Sequence, residues 1–367
     1  MSQAVRERCG HESLASLAAQ VFQSALTGAG SKALAFANLA DKPADWDQVL
    51  AHCAYVPVAY TRANLRYQHL YQQCHSEQTV ELSQLVYWDG HPVAVWPLAL
   101  ACVDGEVELS SFGQPVLAPL FDARLPSRSG KQIVAACMQL ATAMALRFGL
   151  PGWRSQHGFT ARAGLPEWHL QAMAQGARAH VGHELMLDLS PPLEDIRRSL
   201  RKSYRPLISQ GERLWRIQCL EQVGDEAWQQ FRQLHRRAAG RQTRSDASWQ
   251  CQREQVNQGA AFLVCLHDAD ERMVGAGLFT LSRDEAVYAV GAYDRDLFDR
   301  PLGHVVQFRA IQRMKELGLS WYRIGDRPYC GDPVPAEDKE LRIAEFKQGF
   351  ASHLYARFGL WHPAAVS

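Results

Sequence analysis

The sequence predicts a mixed α/β (α+β) protein in two domains, residues 1–189 and 190–367, and three observations predict it. A length of 367 residues makes two cores of ordinary size the default. Near the middle, Ser190-Pro191-Pro192 interrupts the chain, with prolines placed to end one run of structure and open another. On both sides of that break, strand runs are interleaved with helical runs, the pattern of a mixed sheet flanked by helices.

Residues 1 to 80 read as mostly helical. Leu14, Leu17, Val21, Phe22 and Leu26 recur at helical spacing, Lys42-Pro43 marks a turn, and a further helix runs through Trp46, Val49 and Leu50. Val58 to Gln73 mixes Tyr60, Arg62, Asn64, Tyr67, His69 and Tyr71, which suits either a groove lining or a surface helix. Leu82 to Trp88 and Pro92 to Leu100 flank Asp89-Gly90, a hairpin signature, and Val107 to Ser111 adds a short strand. The loop Phe112 to Leu120 is rich in Gly and Pro yet largely apolar, which suits closure over a ligand. Ile133, Ala136, Leu140, Met144 and Leu146 mark an amphipathic helix from Lys131 to Phe148, stopped by Gly149 and Pro151. Strands follow at Trp153 to His157 and His183 to Leu189.

In the second half, Ser190 as N-cap, the two prolines, and Glu194 and Asp195 in the first turn predict a helix. It buries Leu193, Ile196 and Leu200, stacks Arg197, Arg198, Arg201, Lys202 and Arg205 in two rows, and should break or kink at Pro206. Trp215 to Leu220 reads as a strand. Asp225 to Ala239 reads as a helix with Trp228, Phe231 and Leu234 inward, ending at Gly240 amid a second cluster, Arg236, Arg237, Arg241 and Arg244. Phe262 to His267 and Met273 to Leu281 form a hairpin, Ala286 to Tyr293 adds a third strand, and a helix from Val305 to Leu317 leads to a strand at Ser320 to Gly325. A helix crossing between strands implies a parallel pair. Finally, Leu341, Ile343 and Phe346 lead into Lys347, Gly349 and Phe350, which reads as a strand ending at a bulge or sharp turn. Such a turn would aim the Lys347 ammonium into a cleft; the plainer alternative is a solvated lysine after an edge strand.

Composition removes several function classes. With 39 basic and 38 acidic residues the formal charge is +1, so an anionic partner must be attracted by a local patch. The nine cysteines are odd in number, scattered and never paired as CxxC, which argues against a disulfide framework or a zinc site and fits a reducing cytoplasm. Met1 to Gly10 is polar and does not read as a signal peptide, and Leu98 to Val103 and Gln132 to Leu146 are too short to span a bilayer. The sequence lacks GxSxG, HExxH, a P-loop, a GxGxxG with a following acid, and the signatures of DNA-reading modules. The dispersed histidines have no metal-ligand spacing.

The block from Phe262 to Gly325 resembles the core of the GNAT acyltransferase superfamily, whose members use acyl-CoA to modify amines. In that family an Arg or Gln, a Gly and a second small residue present backbone N–H groups to the coenzyme pyrophosphate at a helix N-terminus. The matching positions are Arg300, Gly303 and Val305, with Val305 standing where the family has Gly or Ala, and His304 between the last two joins Arg300 and Gly303 as a candidate cofactor contact. A broader resemblance is to the FemAB-like branch, which includes the Fem peptidyltransferases and envelope-polysaccharide acyltransferases and pairs two GNAT-like domains in one chain. It rests on the basic stretch Arg197 to Arg205, on Tyr322-Arg323-Ile324-Gly325, and above all on Phe346-Lys347-Gln348-Gly349-Phe350, with Ala351 where a glycine is common.

The resemblance implies that Lys347 binds the donor or stabilises negative charge as an amine attacks a carbonyl. Elementary chemistry agrees, since an oxyanion forms in that attack and the amine must lose a proton. Asp326, Glu345 and His304 are the candidate acids and bases by position, Asp326 first because it follows the strand expected beside the cleft. Arg201, Lys202 and Arg205, with Arg237, Arg241 and Arg244, suit a phosphorylated or diphosphate-linked acceptor, or else are solvated helix faces; Phe346 joins them as a substrate contact. The expected activity is therefore direct transfer of an acyl or aminoacyl group to an amine of a sugar, nucleotide-sugar or cell-envelope precursor. The donor is acyl-CoA or aminoacyl-tRNA, the acceptor a small molecule or lipid-linked glycan, and no metal takes part. The reading from another class is a silent module that binds an anionic glycan on the same scaffold.

Overall fold

The computed structural model describes residues 14–28, 33–159, 164–332 and 335–364, with side chains left out at 23–28. The reading of Met1 to Gly10 and the side chain of Leu26 lie outside the described residues. The chain divides into two compact units, one drawn from 1–55, 60–181 and 357–367, the other from 56–59 and 182–356. The expected division at 189/190 differs from this partition in two ways: the break falls at 181/182, and short segments from each half of the sequence belong to the other unit.

In chain order the first unit runs α1 (Leu14–Gly28), β1 (Leu34–Asn38), α2 (Pro43–His52), α3 (Arg62–Gln73), β2 (Gln78–Glu81), β3 (Gln84–Trp88), β4 (His91–Trp96), β5 (Ala99–Val103), β6 (Glu106–Ser110), β7 (Val116–Leu117), β8 (Leu120–Phe121), α4 (Ser127–Arg147), β9 (Gly152–His157), α5 (Glu167–Ala174) and the start of β10 (Arg178–Asp188). The Asp89-Gly90 hairpin joins β3 to β4 with both residues at positive φ, as a two-residue turn requires. The strand expected from Pro92 to Leu100 is two strands: β4 pairs with β3 and β8, whereas β5 pairs with β2 and β6. Pro97, with no N–H to give a ladder, stands at the break. The apolar loop after β6 holds β7 and β8, and β7 runs parallel to β9. Ile133, Cys137, Leu140, Ala141 and Met144 of α4 fill the core against Trp96, Leu98, Trp153 and Trp168. A buried polar layer crosses it. Ser155 Oγ lies 2.7 Å from His362 Nε2 and accepts from Trp168 Nε1 at 3.0 Å, and His157 Nε2 lies 2.8 Å from His169 Nδ1. Burial pushes His157 and His362 down to about 4.

The second unit continues with the rest of β10, then α6 (Leu193–Ser199), α7 (Tyr204–Leu214), β11 (Arg216–Leu220), α8 (Asp225–Ala239), α9 (Asp246–Asn257), β12 (Ala261–His267), β13 (Met273–Leu281), β14 (Glu285–Tyr293), α10 (Gly303–Glu316), β15 (Trp321–Asp326), α11 (Asp338–Gln348) and the start of β16 (His353–Pro363). Its strands lie in the order β11-β12-β13-β14-β15-β10. All neighbours are antiparallel except β14 and β15, the parallel pair that the crossing helix predicts. Alternation along β12 sets the two faces. Phe262, Val264 and Leu266 meet Ile196, Ile208, Val306 and Phe308 on one side, while Leu263 and Cys265 meet Trp228, Phe231 and Trp249 on the other.

Two helical expectations are corrected. The basic stretch forms two helices, because Leu200 is extended (φ −58°, ψ 153°) and ends α6; Pro206 then sits in the first turn of α7, where a missing N–H breaks no intrahelical bond. Ser190 is not the N-cap, a position held by Pro192. Lys347, expected at the end of a strand, lies on the last turn of α11. That helix is started by Glu340, whose carboxylate accepts the Glu337 N–H at 2.9 Å, and the apolar Leu341, Ile343 and Phe346 imitate a strand only in sequence.

Candidate active site

The site grows from the way β14 and β15 part. Their parallel pairing covers Glu285 to Val287 and Trp321 to Arg323 and goes no further, while β10 follows the other edge of β15 as far as Asp326. Each strand carries a bulge at this point, with Ala289 the extra residue on β14 and Ile324 the extra residue on β15. Bulges bend a strand and re-aim its side chains. Here they leave a gap with Tyr288 on one wall and Gly325 on the other.

Lys347 bridges that gap from α11. Its Nζ lies 5.5 Å from the Tyr288 ring centroid, and a Cβ on Gly325 would stand only 2.7 Å from it. Gly325 itself has φ +140°, a conformation that side chains oppose. Burial holds the Lys347 amine below the usual lysine range, and the Asp326 carboxylate pulls the other way. On the β14 wall the Tyr288 and Tyr293 hydroxyls are 2.8 Å apart, and burial pushes Tyr288 up to about 12. Behind them Gln307 of α10 is fully buried and accepts a hydrogen bond from the Tyr322 hydroxyl.

At the mouth of the gap α10 begins. Gly303 faces Phe346, whose Cζ would be 3.0 Å from a Cβ there, and Tyr293. His304 packs edge-on to Tyr204 and Phe346, with centroids 4.6 and 5.1 Å away, and burial lowers its pKa to about 4, so it is neutral at ordinary pH. Val305, which departs from the GNAT pattern, turns its side chain into the core against Gly211 of α7, where a Cβ would be 2.2 Å away.

Of the residues singled out from sequence, Lys347, Asp326, Phe346, Gly303 and His304 come together. Glu345, two positions before Lys347 and so about 200° around the helix, is exposed on another side. Arg300 is exposed in the turn before α10. The basic residues do not form one set. Arg201, Lys202 and Arg205 belong to the α6–α7 face of the sheet, whereas Arg237, Arg241 and Arg244 lie at the end of α8 on the opposite face. Arg244 is also engaged locally, over the Trp249 ring at 5.2 Å and beside His235 Nε2 at 3.1 Å. Sequence reasoning missed Tyr288, Tyr293, Gln307 and Tyr204. Among the described residues, no group of three His, Cys, Asp or Glu side chains is placed to hold a metal ion, and no helix is long and apolar enough to cross a membrane.

Residues 194–333 match the acetyltransferase (GNAT) domain family, a stretch that ends before α11 and Lys347. No curated protein matches the chain by sequence. Among solved structures, FemX is similar at TM-score 0.63 and 12% identity, over 89% of this chain and 96% of that one. L-PGS from Bacillus licheniformis is similar at 0.54 and 13%, over 89% and 93%. The C-terminal domain of a putative lysylphosphatidylglycerol synthetase from Agrobacterium fabrum is similar at 0.52 and 11%, over 87% and 92%. The gap between diverging parallel strands, the helix starting at its mouth and the match to known proteins lead to one assignment: residues 194–333 match the acetyltransferase (GNAT) domain family, and the chain has the fold seen in FemX.

Proposed function

We propose that the protein is an acyltransferase that moves an acyl or aminoacyl group onto an amine of a sugar, nucleotide-sugar or cell-envelope precursor, with Lys347 as the catalytic cation. One observation carries this reading: the Lys347 ammonium bridges the gap between Tyr288 and Gly325 rather than standing in open solvent. When an amine adds to an ester or thioester carbonyl, charge collects on the carbonyl oxygen. A cation already fixed and partly stripped of water stabilises that charge without reorganising, by about 3 kcal/mol. The amine must also shed a proton, and Asp326, one residue past Gly325 and within electrostatic reach of Lys347, offers a carboxylate for it. Transfer is direct, from donor to amine, with no covalent enzyme intermediate.

Lys347→Met should lower turnover by about 100-fold while leaving the melting temperature near that of the parent. Unchanged turnover with the right substrates would sink the proposal. Because the cation must stay protonated and burial lowers its pKa, the rate should fall as pH rises through a value below that of an ordinary lysine.

A specific contact favours aminoacyl-tRNA over acyl-CoA as donor. A coenzyme pyrophosphate needs the first N–H groups of α10 open to it, and here the Phe346 ring packs against Gly303 at that end. An aminoacyl donor also suits a fold shared with a lysylphosphatidylglycerol synthetase domain. Saturating acetyl-CoA should therefore leave the melting temperature unmoved, and a clear rise would restore the acyl-CoA reading.

A further inference from the structure

Lys347 lies on the last turn of α11, a helix that buries Ala344 and little else. Helix ends fray because their last carbonyls lack partners, and a fraying turn would not hold an ammonium in place. The segment joining α6 to α7 meets this end with three bonds. The Arg201 N–H donates to Gly349 O at 3.0 Å, the Arg201 guanidinium to Glu345 O at 3.1 Å, and the Tyr204 hydroxyl to Phe346 O at 3.0 Å. The guanidinium also lies over the Tyr204 ring, 5.2 Å from its centroid. Gly349 lets the ring rest on the backbone, since a Cβ there would be 2.2 Å from Tyr204 Cε2. A cation at a helix C-terminus is favourable in its own right.

We propose that Arg201 and Tyr204 are positioning residues that cap the C-terminal turn of α11 and so hold the Lys347 ammonium between β14 and β15, Arg201 serving the helix rather than a substrate phosphate. The functional consequence rests on the reading of Lys347 as the catalytic cation; the capping itself does not. Sequence alone places Arg201 in a row of equivalent cations, yet the fold separates it from them. Lys202 is exposed beside it, and Arg205 donates back to Arg198 O of α6.

The test measures Lys347 without relying on turnover. Trace labelling of amines with acetic anhydride across a pH series, read by mass spectrometry, reports the reactivity of each lysine and the pH midpoint of its ionisation. Groups facing Lys347 from the packed elements are Asp326 of β15 and Tyr288 of β14, and neither is altered in the variants. Arg201→Met and Tyr204→Phe, the second keeping the buried ring, should each raise Lys347 labelling several-fold and move its midpoint toward that of a free lysine. Both should also lower kcat about tenfold with KM little changed, while Arg213→Met, at an exposed cation on α7, changes neither quantity. Unchanged Lys347 labelling in both variants overturns the proposal, as does an Arg201→Met variant that only raises KM for a phosphorylated acceptor. If labelling responds to Arg201 but Lys347→Met retains full turnover, the cap stands and the catalytic reading falls.

Discussion

Gly349 shows how much of this site depends on absent atoms. Its missing side chain lets Tyr204 lie on the backbone between Lys347 and Phe350, and an added methyl would meet the ring at 2.2 Å. Gly349→Ala should therefore lower the stability to denaturant by about 1–3 kcal/mol, the usual cost of overpacking. It should lower turnover as well, because the displaced ring carries the Phe346 cap. A stability midpoint within experimental error of the parent would show that the ring can move aside freely. At this scale the sequence drew the eye where chemistry is conspicuous, since a lone lysine among aromatics and glycines singled out Lys347 and Phe346, although the turn read there as a strand end is a helix end. Tyr288 and Tyr293 were hidden, because aromatics on a strand look the same whether they fill a core or line a gap. Only the bulge at Ala289 aims Tyr288 at Lys347, and bulges leave no mark in composition.

For whole elements the instructive case is α11. Its apolar residues are few, Ile343 is 45% exposed, and no strong apolar stripe announces a helix. What starts it is Glu340, three residues after Glu337, a helix-start pairing that the reading of this stretch as a strand passed over. Glu340→Ala should cost about 0.5–1.5 kcal/mol in chemical unfolding, the worth of the one hydrogen bond it removes. No loss would mean that tertiary contacts alone set the start of α11. The three-stranded meander and α10 were legible for the opposite reason. There β12 and β13 are buried on both faces, Gly318 after α10 lies at positive φ, and periodicity and packing agree. Which face of a sheet a basic cluster occupies depends on topology, so the separation of Arg201 from Arg237 could not be read from spacing.

At the scale of the molecule, the buried histidines of the first unit predict an acid limit. His362 is 4% exposed, and its pKa falls from 6.5 to about 4 on folding. Above 6.5 the folded and unfolded states are both neutral and its contribution is complete. As pH drops from there toward 4, the unfolded chain takes up a proton that the folded one refuses, and about 3 kcal/mol is lost from this residue. Melting temperatures should therefore fall across that interval and fall less steeply in His362→Gln; parallel slopes would remove His362 from the account. Two compact units could be anticipated from length, but they part at 181/182 within β10 and not at Ser190-Pro191-Pro192. Their interleaving could not, because strand partners far apart in sequence carry no local signal. That interleaving has a consequence for how the protein is made. Phe358 to Pro363 of β16 complete the edge of β9, and 207 residues separate Ser155 from its partner His362. On a ribosome the first unit must wait, with β9 unpaired on one side and Ser155 lacking its imidazole, until the second unit has been synthesised. The exposed edge during that interval is where a chaperone would be expected to bind, and where premature termination would be most damaging.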